Sequence, residues 1–286
     1  MRRFVIGALL IALLLAGCTG PTPATPTDAP AGDVPAASAA EEGGTISAAG
    51  STTVQPLAQL LGEAFVAANP GVRIEVQGGG SSVGVKSAVQ GTADIGMASR
   101  EIKASELEEY PSMQVFAIAY DGIAPVVHPD VAVDGLTLEQ VRDIFAGVIT
   151  NWQEVGGADS LIVVVAREEG SGTRDAFDEL VMGDELITDL ALLQQSNGAV
   201  RTTVATTPNA IGFLSFGYLD ESVKAVAVNG AVPNAENVKN GSYPVVRPLN
   251  MVTDGEPEGL VKTWLDWILG EDGQAIVVEE GYIAAD

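Results

Sequence analysis

The chain has 286 residues, with 38 Asp or Glu against 14 Lys or Arg and a formal charge of −24 at neutral pH. That excess argues against nucleic acid and anionic lipid surfaces as partners, and with one cysteine (Cys18) and one histidine (His128) an intrachain disulfide and a histidine-rich metal site are excluded. A small anion remains possible: backbone N–H groups and one or two arginines act over a few ångströms, whereas a surface field is screened beyond roughly 8 to 10 Å.

Met1-Arg2-Arg3 and the apolar run from Phe4 to Ala16 read as an export signal, too short for the roughly 20 apolar residues that span a bilayer. Its ending, Leu15-Ala16-Gly17-Cys18, resembles a bacterial lipobox. That resemblance implies removal of residues 1–17, lipidation of Cys18, and a place on the outer face of the cytoplasmic membrane, extracellular or periplasmic. From Thr19 to Gly44 the composition of Pro, Ala, Thr, Ser and Gly cannot build a core, so residues 18–44 are expected to form a tether.

The folded part begins near Thr45 with a short strand, a turn at Gly50-Ser51-Thr52-Thr53, and a helix carrying Leu57, Leu61 and Phe65 on one face. Val72, Ile74 and Val76 alternate as in a strand and run into Gly78-Gly79-Gly80-Ser81-Ser82, again followed by a helix. A strand over Thr92–Ala98 delivers Ser99 and Arg100, and a short acidic helix covers Ser105–Tyr110. Met113 to Val127 is apolar except for Asp121-Gly122, which is either a loop between two strands or an acid aimed into a cleft. Leu136 to Trp152 reads as a helix and the turn after it, and Leu161 to Ala166 as a buried strand. Helical pieces are expected at Thr188–Gln195 and Val200–Thr207, a return strand at Val245–Thr253, and closing helices at Leu260–Leu269 and Gly273–Glu280. Strands alternating with helices predict an α/β fold with mostly parallel sheets, whose ligands sit at the carboxyl ends of the strands.

The stretch Arg167-Glu168-Glu169-Gly170-Ser171-Gly172-Thr173-Arg174 follows the buried strand and opens a helix. Taken alone it is either an ordinary capped turn or an anion cradle of glycine backbone, hydroxyls, free helix N–H groups and the two-pronged donor Arg167. Two earlier turns of the same kind favour the cradle. Nucleotide motifs fail: Val85 separates Gly84 from Lys86, breaking the P-loop pattern, and GxGxxG counted from Gly78 meets Val83.

These stretches together resemble the PstS family of substrate-binding lipoproteins of phosphate ABC transporters. The motifs are AGSTTVQPL (49–57), GGGSSVGVK (78–86), ADIGMASR (93–100), DGIAPVVHP (121–129), ITNWQEVGG (149–157), REEGSGTRDAF (167–177), NAIGF (209–213) and YPVVRPL (243–249). The resemblance implies the type II periplasmic-binding-protein fold, two α/β domains with mostly parallel sheets joined by two crossing segments around an interdomain cleft. Domain I would comprise residues 45–123 and 247–286, and domain II residues 124–246. Phosphate would be held by Ser51, Thr52, Thr53 and Ser81 from one side and by Arg167, Ser171, Gly172 and Thr173 from the other. Many members place an aspartate, which accepts the ligand's proton, where Ser99 stands here. Ser99 and Arg100 are then either ligands or a structural pair, and Asp121, ahead of Asp94, is the substitute acceptor. An ABC permease is the implied partner, and a monomer without cofactor or metal is expected. Sulfate or molybdate is the alternative cargo. An exported hydrolase using Ser171 or Ser81 would need a base, and His128 lies in a Val-Val-His-Pro strand end.

Overall fold

The computed structural model describes residues 43–285, so the export signal, Cys18 and nearly all of the tether lie outside the described residues. Strand β1 (Thr45–Gly50) leads into α1 (Val54–Ala68), β2 (Arg73–Gly78) into α2 (Ser81–Val89), and β3 (Ile95–Ala98) into α3 (Ala104–Glu109). The long β4 (Met113–Val127) is followed by β5 (Gly135–Leu136), α4 (Leu138–Ala146) and a 3-10 turn at Trp152–Val155. Next, β6 (Val163–Arg167) runs into α5 (Gly172–Phe177) and β7 (Leu192–Gln194) into α6 (Asn197–Thr206). Strand β8 (Ala210–Ser215) precedes the short β9 (Lys224–Ala225), β10 (Ala227–Val228) and α7 (Ala235–Lys239). The chain closes with β11 (Val246–Asp254), α8 (Gly259–Leu269), α9 (Glu271–Glu279) and β12 (Ile283–Ala284).

The main sheet runs β2-β1-β3-β11-β4-β8-β6-β7. Its flanks are parallel, as the alternation of strands and helices predicts, whereas β11 and β4 lie antiparallel between them. Strand β4 changes partner along its length. Met113 to Gly122 pair with β11, and Ile123 to Val127 pair with β8. The cores change at the same place: one gathers Ile46, Leu57, Phe65, Met97, Leu249 and Trp264, the other Ile123, Val127, Phe145, Trp152, Phe177 and Phe213. Each is a buried apolar cluster, and burial at about 25 cal/mol per Å2 supplies the main folding force.

Two local expectations change. Asp121-Gly122 forms no loop, because β4 continues through both residues with unbroken pairing to β11. The helix and following turn expected over Leu136–Trp152 are present: α4 ends at Ala146, where Gly147 takes a left-handed φ of 78° that ends the helix without a Cβ clash. Its start is fixed by a reciprocal cap: Thr137 Oγ1 accepts from the Gln140 N–H at 3.1 Å, and Gln140 Oε1 accepts from the Thr137 N–H at 2.8 Å. Residues 188–195, expected as helical, contain β7, which pairs parallel with the otherwise open edge of β6. Satisfying backbone groups along that edge outweighs the helix preference of the leucines.

Candidate anion-binding site

Four strand-to-helix turns converge on one buried spot. They follow β1, β2, β6 and β7 and open α1, α2, α5 and α6. Free N–H groups and the positive ends of the longer helices therefore face a common centre. The turns touch across the cleft, where the Ser82 N–H donates to the Gly170 carbonyl at 3.2 Å. Two glycines permit this approach. Gly80 has φ 92°, and a Cβ there would stand 3.0 Å from Gly170 O. A Cβ on Gly172 would lie 2.1 Å from Ser81 Oγ and 2.8 Å from Ser99 Oγ.

The centre is a cluster of buried hydroxyls. Ser51 Oγ donates to Ser99 Oγ at 2.8 Å, and the Ser99 N–H donates to Ser81 Oγ at 3.0 Å. Thr53 Oγ1 lies 3.0 Å from Thr173 Oγ1 and accepts from Asn197 Nδ2 at 2.8 Å. Ser171 caps α5, its Oγ accepting from the Arg174 N–H at 3.3 Å. Thr52 is the less buried neighbour, its carbonyl accepting from the Tyr218 hydroxyl at 2.6 Å.

Charge at the cluster is mainly positive. Arg167 is buried, and its Nε and Nη2 donate to the carbonyls of Gln194 and Gln195, both at 3.1 Å. Among the described residues no carboxylate pairs with it; burial pulls its pKa down to about 10, with Arg247 pushing the same way and Glu168 opposing. A buried guanidinium facing only carbonyls keeps an unneutralised charge, which an anion would compensate. Arg247 is also buried and pairs with Asp121, Nη2 to Oδ2 at 2.9 Å. Burial pushes the Asp121 carboxyl up and the Arg247 guanidinium down, and each partner opposes the other's shift.

The structure therefore brings together Ser51, Thr52, Thr53, Ser81, Ser99, Arg167, Ser171, Gly172 and Thr173. Two expected residues take other roles. Arg100 is committed to carboxylates: Nη1 and Nη2 donate to Glu106 at 2.8 and 2.7 Å, and Nε stands 2.9 Å from Asp175 Oδ2. It is a structural bridge, because its Nη donors are taken by Glu106 and the Glu101 carbonyl and its Nε faces Asp175. Asp121 is no free acceptor either. Its Oδ2 takes Nε and Nη2 of Arg247, and Oδ1 accepts the Phe216 N–H at 3.2 Å. Asp94 binds the N–H and hydroxyl of Ser47 at 2.8 and 2.7 Å, bracing β1. Arg174 reaches the Arg167 carbonyl at 2.9 Å and Asp178 on its own side. Sequence reasoning missed Asn197 and Arg247. Ser196-Asn197-Gly198 was a further small polar turn, hidden by the helical reading of 188–195. Arg247 was a lone cation in an apolar strand, the natural partner of the lone acid in the other long strand.

A family model described as a PBP superfamily domain matches residues 35–272. The phosphate-binding protein PstS of Bacillus subtilis is 36% identical over 242 residues, covering 84% of this chain and 80% of the relative. The chain belongs to the PstS family. Its PstS relatives include that of Pseudomonas aeruginosa, 30% identical over 84% of this chain and 83% of the relative. Two solved structures are also similar to this chain. One is from Clostridium perfringens with bound phosphate, 44% identical with a TM-score of 0.82 over 85% of this chain and 100% of that one. The other is an ABC-type phosphate transport receptor from Vibrio cholerae, 35% identical with a TM-score of 0.70 over 84% and 100%.

Proposed function

We propose that this chain captures inorganic phosphate outside the cytoplasm and delivers it to an ABC-type importer. The observation that carries this reading is the buried, unneutralised Arg167 beside convergent hydroxyls and helix starts, in a chain whose relatives are phosphate-binding proteins. Ser51, Thr52, Thr53, Ser81 and Ser99 form one jaw, and Arg167, Ser171, Gly172 and Thr173 the other. Charge-assisted hydrogen bonds in a site closed to water supply the binding energy. Residues 45–123 with 247–286 form one domain and 124–246 the other, hinged where β4 and β11 cross.

Binding proceeds without covalent chemistry. His128 Nδ1 accepts the Asp130 N–H at 3.2 Å, which leaves neither Ser81 nor Ser171 a histidine base. Among the described residues no helix is long and apolar enough to cross a membrane, and a lipid on Cys18 would retain the monomeric protein at the outer face. Isothermal titration with phosphate, repeated in excess sulfate, tests the proposal. Tight phosphate binding that sulfate does not displace is expected; equal or tighter sulfate binding overturns the assignment of the cargo.

A further inference from the structure

Asp121 and Arg247 are direct partners across β4 and β11, so their ion pair ties the two long strands together beside the hydroxyl cluster. A buried ion pair is weak evidence for stability, since well-packed apolar residues often serve as well. Its remaining contacts point to another role. Nη2 of Arg247 donates to Thr53 Oγ1 at 3.2 Å, and Nη1 donates to the Ser99 carbonyl at 3.0 Å and to Ser99 Oγ at 3.4 Å. Together with the bonds to Asp121, these contacts occupy the guanidinium on every side.

A hydroxyl has one proton and two lone pairs. Thr53 Oγ1 accepts from Arg247 Nη2 and, at 2.8 Å, from Asn197 Nδ2. Both lone pairs are used, so in the contact with Thr173 Oγ1 at 3.0 Å Thr53 is the donor, and its proton points across the cluster. Ser99 Oγ accepts from Ser51 Oγ at 2.8 Å and from Arg247 Nη1 at 3.4 Å, so its proton is likewise directed into the cluster, where Ser81 Oγ lies 3.5 Å away. An oxygen of a phosphate anion is chiefly an acceptor, and hydroxyls already held as donors into the cluster have only to exchange a hydroxyl acceptor for it.

We propose that Arg247, held by Asp121, and Asn197 are positioning residues that fix the hydroxyls of Thr53 and Ser99 as donors to the bound oxyanion. The pair orders these hydroxyls while adding no net charge, and Arg167 supplies the uncompensated cation. This inference rests on the phosphate reading and deepens it. It also explains why Asp121 sits at the site bonded to Arg247 and the Phe216 N–H instead of being held open for the ligand.

A double-mutant cycle tests it. Replacing the pair together, Asp121→Asn with Arg247→Gln, removes both charges and keeps the shapes, so no lone buried charge confuses the result. Phosphate affinity is expected to fall by about ten- to thirtyfold. In a background of Thr53→Val with Ser99→Ala, the same replacement is expected to change affinity by less than about threefold, because the hydroxyls it orders are gone. A purely structural pair would cost the same in both backgrounds. Equal losses in the two backgrounds, or no loss in the first, overturn the proposal. Should the paired variant not fold, Asn197→Ala measured with and without Thr53→Val asks the same question, and multiplying losses there overturn it too. Failure of the unaltered chain to bind phosphate overturns this inference and the proposed function together; independent losses in a chain that does bind overturn this inference alone.

Discussion

Gly172 shows how closely the site constrains single residues. Its missing side chain lets the start of α5 rest against Ser81 and Ser99, which come from two other turns. In Gly172→Ala the new Cβ would stand 2.8 Å from Ser81 Cβ, and that atom cannot rotate away as a hydroxyl can. The jaws would have to part by a fraction of an ångström, at a cost typical of overpacking, about 1 to 3 kcal/mol. Phosphate affinity is expected to drop at least about tenfold. The melting temperature without ligand should move little, because the crowding lies between the jaws and outside both cores; titration and thermal melts check the two halves. Gly172 was legible as a candidate from its place in the GSGT turn. The reason for it was not, since the crowding atoms belong to residues about 70 to 90 positions earlier.

Among the elements, α3 is short, with six residues and none of them buried, and owes its place to electrostatics. Glu106 accepts from Arg100 through both oxygens and from the Lys103 N–H at 3.0 Å. Burial raises its pKa, but the bonds and charges of Arg100 and Lys103 outweigh burial and hold the carboxyl below its usual 4.5. In the unfolded chain the group takes up a proton first, so its contribution is present above pH 4.5 and is lost as pH falls through the lower folded-state value. Glu106→Gln is therefore expected to lower stability at pH 7 by about 1 to 2 kcal/mol, screened by its partial exposure, and to flatten the acid limb. Chemical denaturation between pH 3 and 7 gives both quantities; an unchanged acid limb would place the acid sensitivity elsewhere. The same scale shows where pattern reading stopped. The acidic helix and the helical face of α4 were legible because their signals are local. Strand β7 was not, because three residues became a strand only by meeting the edge of β6.

For the whole molecule, one ion-pair cluster spans the two cores. Asp175 on α5 stands 2.9 Å from Arg100 and 3.0 Å from Lys103, both in the segment that leads into α3. Asp175→Asn removes these pairs and leaves Arg100 its bonds to Glu106, so folding is expected to survive. The closed arrangement should loosen, and phosphate should leave about three- to tenfold faster with a smaller change in association rate. Stopped-flow displacement of bound phosphate measures this, and an unchanged release rate would show that the hydroxyl contacts alone hold the jaws together.

The sequence by itself determined the α/β class, the two long central strands as apolar runs, and most of the hydroxyl and glycine positions of the site. Those signals repeat within a few residues: an apolar strand, small polar residues, then an amphipathic helix. Only the tertiary structure decided the roles of the charges. Arg100, Asp121, Arg167 and Arg247 are all buried, and in a low-dielectric interior what a charge does depends on its nearest partner. Arg100 found Glu106 and Asp175, Asp121 found Arg247 some 126 positions away, and Arg167 found only carbonyls. Partners at such separations leave no local pattern, so the sequence could name the charged residues without saying which one is left for the anion.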